Sequence, residues 1–171
     1  TLKTWIGVGG SPESVVRAVN YDLPMMLAII GGEPKRFLPF IDLYHRAVDQ
    51  LGGEVQPLGV HSPGHVGETD EQAFEELWPG YEALQNRIGG ERGWGRTTKE
   101  RMRMEADMGS LYVGSPETVA KKIANTIKSL GIKRFDLKYA SGPMPHETLM
   151  KSIELYGTRV MPMVKDILAK A

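Results

Sequence analysis

Short apolar runs alternate with amphipathic stretches along the 171 residues. Leu2 to Val8 is apolar and rich in strand formers, and Gly9-Gly10 breaks it. From Ser11 to Asn20 apolar positions recur at helical spacing, with Val15, Val16, Ala18 and Val19 inward. Leu23 to Ile30 is apolar almost throughout and bounded by Gly31-Gly32. That is the pattern of a strand buried on both faces, as in parallel sheets. Pro34 to Leu51 reads as a helix stopped by Gly52-Gly53. Val55 to His61 predicts a third strand. Thr69 caps a helix running to Ile88, with Ala73, Leu77, Tyr81 and Leu84 on one face and Pro79 placed to kink or divide it.

Residues 89–110 are rich in glycine and charge, which predicts a loop followed by a short helix around Thr98 to Ala106. Leu111-Tyr112-Val113 is a short apolar lead into an amphipathic helix from Ser115 to Leu130. Arg134 to Tyr139 predicts the fourth strand, and Pro145 to Lys170 one or two final helices. Strand and helix therefore alternate four times in a single domain, 1–171, with an insertion at 89–110. Such alternation means a parallel sheet flanked by helices. Right-handed crossovers leave two architectures, an open doubly wound sheet or an arc of a (β/α)8 barrel, of which four units are about half.

Composition excludes several roles. Twenty-one basic residues balance 21 acidic ones, so no field favours nucleic acid or an anionic membrane. No run approaches a membrane span. There is no cysteine, which excludes disulfides and thiolate metal sites and fits a cytoplasmic protein. Thr1 is not an initiator methionine, and the first strand starts at once, which reads as a piece of something longer.

Candidate chemistry begins with a repeated phrase, Gly-Ser-Pro-Glu at 10–13 and again at 114–117. In the first, Gly9 and Gly10 allow close backbone approach by a ligand. Ser11 is a good N-cap, Pro12 suits the first helical position, and Ser14 lies in the first turn. A phosphate there would meet amide donors, two hydroxyls and the positive helix end. Taken alone the phrase is also an ordinary capped helix start, and Glu13 opposes an anion. The second copy has one preceding glycine, Gly114, and reads as a plain helix start. His61 and His65 sit where the third strand is predicted to end, with His61 the better acid, base or substrate contact. Two histidines at i, i+4 on a loop do not define a metal site, and none is assigned. His45 reads as solvated and His146 as a helix-start residue.

Taken together, these segments resemble the bacterial luciferase family, the flavin-dependent luciferase-like monooxygenases. The resemblance rests on TWIGVGGSPESVVRAVNYDLPMMLAIIGG, the helix start Thr69-Asp70-Glu71-Gln72-Ala73, YVGSPETVAKKI and FDLKYASGPMPHETLMKSIELYGTRVMPMVK, in that order. It implies a (β/α)8 barrel of which this chain is the C-terminal half, strands five to eight. It implies reduced FMN, or in one branch F420, and oxidation of a small organic substrate with O2. Gly9, Gly10, Ser11 and Ser14 would bind the flavin phosphate. Met25 to Ile30 on the sixth strand could line the flavin ring. Residues 89–110 would form a lid carrying Trp94 and Arg96. A flavin reductase and a second copy of the chain are the implied protein partners. A flavin- or F420-dependent hydride-transfer oxidoreductase and a non-catalytic half-barrel are the rival readings.

Overall fold

A computed structural model describes residues 2–170. The first strand, β1 (Ile6–Val8), is shorter than its apolar run, and residues 2–5 are irregular. It leads into α1 (Pro12–Asn20). Next come β2 (Met25–Ala28), a 3-10 turn at Pro34–Phe37 and α2 (Leu38–Leu51). Then follow β3 (Leu58–Val66), α3 (Asp70–Arg92), α4 (Lys99–Asp107), β4 (Tyr112–Gly114) and α5 (Pro116–Leu130). The chain closes with β5 (Arg134–Lys138), α6 (His146–Leu155), a π-type turn at Tyr156–Val160 and α7 (Met161–Ala169).

All strand pairings are parallel. β1, β2 and β3 are neighbours in chain order. β3 pairs with β5 over Gly59 to Pro63 and with the extra strand β4 over Gly64 to Val66. The strand expected at Val55 to His61 therefore lies further on, at Leu58–Val66. Pro63 and Gly64 read as punctuation, but they fall where β3 exchanges one neighbour for another. A residue without an N–H is tolerated at such a handover.

One face of the sheet carries the core. Val8, Met25, Leu27, Leu58 and Val60 pack with Val15 and Ala18 of α1 and Ile41 and Tyr44 of α2. Phe135 and Leu137 join Tyr112, Val119, Ile123 and Leu155. The other face is bare over β1 and β2. Met26 and Ala28 are half-buried, and Ile30 just beyond is 64% exposed. The expectation that this strand is buried on both faces fails because no described element covers its second face. That face, concave in a barrel, also carries His61, Pro63, Asp136 and Lys138, by the two-residue alternation of strand side chains.

Helix α3 closes the far end of this face. It is longer than expected and continues through Pro79 to Arg92, so the glycine-rich loop starts at Gly93. Ala73, Phe74, Leu77 and Tyr81 pack on Leu111 and Val113 and on Met102 of α4. No described helix is long and apolar enough to cross a membrane.

Candidate functional site

The strands of a parallel sheet gather their functional loops at the C-terminal ends. At the end of β1 the chain turns through Gly9 and Gly10 into α1. Gly10 has φ 124°, which an L side chain rarely adopts, and nothing lies within 4 Å of where a Cβ would stand at either glycine. Ser11 is the N-cap: its Oγ accepts the Ser14 amide at 3.4 Å and donates to Glu13 Oε2 at 2.6 Å. The Ser11 hydroxyl holds the Glu13 carboxyl below its usual range. Gly9, Gly10, Ser11 and Ser14 thus lie together at one helix N-terminus. Glu13 lies on it as an exposed carboxylate free to swing into water.

The second Gly-Ser-Pro-Glu is capped in the same way, with Ser115 Oγ accepting the Thr118 amide at 3.3 Å. Its N-terminus is occupied. Asp70, the first residue of α3, accepts the Ser115 amide at 2.6 Å and the Thr118 hydroxyl at 3.0 Å. These bonds, the Ser115 amide foremost, hold the Asp70 carboxyl below the ordinary carboxylate value. The protein's own anion sits where an external one would bind. Asp70→Asn is expected to cost about 1 kcal/mol at neutral pH, the scale of an exposed charged hydrogen bond. A carboxyl with a depressed pKa stabilises the fold above its ordinary value of 3.8 and loses that contribution as pH falls through the folded value. Urea denaturation at pH 6 and pH 2.5 checks this, and the gap between wild type and variant should narrow at the lower pH.

The two histidines separate sharply. His61 is half-buried in the middle of β3, in register with Ala28 and Asp136, on the uncovered face. His65 is fully buried, and its Nε2 lies 2.7 Å from Glu76 Oε2 of α3. Gln72 Nε2 donates to the other Glu76 oxygen at 2.8 Å. His65 Nδ1 has no hydrogen-bond partner. Of the methionine strand, Met25, Leu27 and Ile29 belong to the core, which leaves Met26, Ala28 and Ile30 on the uncovered side.

In the insertion, Trp94 is 46% exposed and folds back on the end of α3: its amide donates to the Gly89 carbonyl at 2.8 Å, and Arg92 stacks 5.3 Å from its ring. Arg96 is exposed. The following helix α4 is pinned. Met102 is fully buried, and Glu105 accepts the Gly32 amide, beyond the end of β2, at 3.0 Å. Lys122 of α5 donates to the carbonyls of Glu105, Ala106 and Leu111. Burial lowers this lysine to about 8. The Asp70, Glu76 and Lys122 contacts are not legible in the sequence, because each joins residues that no local pattern links.

Comparison with protein-family models returned no match, and neither did comparison with curated proteins. Solved structures do match. One is the oxygenating constituent of 3,6-diketocamphane monooxygenase from Pseudomonas putida, a type II Baeyer-Villiger monooxygenase in complex with FMN. It is 17% identical, the match covers 94% of this chain and 48% of that one, and the TM-score is 0.69. A monooxygenase from Streptomyces bottropensis is 18% identical over 92% of this chain and 47% of its own, at TM-score 0.73. The F420-dependent tetrahydromethanopterin reductase of Methanopyrus kandleri gives 17%, 92%, 50% and 0.62. The chain spans about half the length of the structures it matches. Its fold is half of a (β/α)8 barrel, shared with these two monooxygenases and the F420-dependent reductase.

Proposed function

We propose that this chain is the phosphate-anchoring half of a flavin-dependent, luciferase-like monooxygenase acting on a small organic substrate. The observation that carries the reading is the contrast between two matched helix starts. The one at the end of β1 carries only its own exposed Glu13 carboxylate beside two unobstructed glycines, and the one after β4 is bonded by Asp70 from another helix. Gly9 and Gly10 would admit the phosphate, Ser11 and Ser14 would donate their hydroxyls, and α1 would supply its dipole. Reduced FMN, when bound, supplies the electrons for oxidation by O2; a separate flavin reductase would renew it. Met26, Ala28 and Ile30 would form an apolar wall that keeps water from the ring. His61 is the candidate acid–base or substrate contact on the same face. Within the insertion, residues 93–97 with Trp94 and Arg96 would have to release the Trp94 and Thr97 amide bonds to α3 to act as a lid, while α4 would be its fixed base. A cytoplasmic location fits this chemistry.

FMN titration followed by flavin fluorescence tests the proposal. Ser11→Ala and Ser14→Ala should each weaken binding about tenfold, the worth of one charge-assisted hydrogen bond, and Ser115→Ala should leave it unchanged. Equal effects of Ser11→Ala and Ser115→Ala would sink the cradle. Absence of FMN binding with saturable F420 binding would favour the hydride-transfer reading. Binding of neither would leave a non-catalytic half-barrel.

A further inference from the structure

Beyond the phosphate cradle, a second site lies at the opposite end of the arc. We infer that the cleft between α3 and the end of β5 binds a small organic anion with a short apolar body. The cleft measures about 430 Å³, within the range of small-molecule sites. Two cations from different elements line it, Arg87 of α3 and Lys138, the last residue of β5. Neither forms an ion pair among the described residues. Lys99, Arg103 and Arg159 by contrast meet carboxylates, at Glu75, at Glu71, and at both Glu68 and Glu117. The rest of the lining is apolar or small, with Ala83, Leu84, Ala140 and Pro143 among it. A lining of one arginine, one lysine and otherwise apolar or small residues matches a carboxylate or sulfonate carrying a short hydrocarbon, and mismatches a cation or a bare apolar molecule.

The cleft is also held in shape. Gly80 of α3 and Gly142 of the loop after β5 meet backbone to backbone, so a Cβ on either would collide with the other segment. That contact fixes the wall carrying Leu84 and Arg87 against the wall carrying Lys138. Lys138 lies on the same uncovered face as His61, at the strand end where the ligands of such sheets collect. Under the oxidoreductase reading this anion is the substrate. The binding itself does not need that reading.

Hexanoate titrated into the full chain without flavin, followed by amide chemical shifts, tests the site. Saturable binding is expected, with shifts at Leu84, Arg87 and Ala140. Arg87→Gln and Lys138→Gln should each raise the dissociation constant about tenfold, with unchanged far-UV circular dichroism. Hexylammonium should not bind, and inorganic phosphate should bind more weakly than hexanoate. Linear shifts with hexanoate, or full affinity in both variants, would overturn the inference. So would tighter binding of phosphate or any saturable binding of hexylammonium. Loss of FMN binding with hexanoate binding intact would remove the flavin proposal and leave this one standing.

Discussion

Gly142→Ala is expected to destabilise the protein by about 4 kcal/mol, from overpacking together with backbone strain, each typically 1–3 kcal/mol. The residue adopts φ 102°, where an L side chain is strained whatever the space. A Cβ there would also run into the backbone of Gly80, inside α3. Neither partner can yield by rotating a side chain, so the loop and the helix must part. Leu77 and Tyr81, buried beside Gly80, would lose packing against Leu111 and Val113. Chemical denaturation checks the value, with Gly90→Ala as a control at an exposed helical glycine where nothing lies within 4 Å of the added carbon. A loss under 1 kcal/mol would mean that α3 can lift from the strand ends at little cost.

His65→Ala should cost about 3 kcal/mol, the scale of deleting a large, fully buried side chain. The ring fills space between β3 and α3, and its removal also leaves the Glu76 carboxylate without its nearest partner. Glu76 is 29% exposed and can turn to water, so Glu76→Gln should cost only about 1 kcal/mol. His61→Ala should change stability by no more than about 0.5 kcal/mol, because the ring is half-buried and its removal opens no enclosed cavity. Thermal and urea unfolding of the three variants tests the order. Equal losses at His61 and His65 would contradict the division of labour, in which one histidine holds α3 down and the other faces outward to ligand.

The alternation of elements is legible in the sequence because the first strands are apolar and α1, α3 and α5 each open with their own cap. Ser11, Thr69 and Ser115 cap where the spacing places them. Boundaries move where tertiary contacts outweigh local signals. Pro63 looks like a terminator, yet β3 runs through it because new neighbours take over. Gly89 and Gly90 look like a loop, yet α3 includes them, and its C-cap is Gly93 with φ 70°. β4 is visible only as an apolar lead, since three residues are too few to show a period. The first cradle can be proposed from its own residues. The second helix start is closed by Asp70, 45 positions away from Ser115, and nothing near Ser115 in the sequence points to that partner. The cleft of Arg87 and Lys138 depends wholly on how α3 lies across the strand ends, and no spacing in the sequence announces it.

The arc ends in two different strands among the described residues: β1, which pairs only with β2, and β5, which like the short β4 pairs only with β3. The exposed amides and carbonyls of one rim therefore complement those of the other rim rather than themselves. Any self-assembly through these rims is head-to-tail, with β5 of one molecule beside β1 of the next. Two copies, each supplying four strands of the arc, would close an eight-stranded ring about a twofold axis. If the curvature of the arc falls short of a half-turn, the same contact propagates without end and yields a filament.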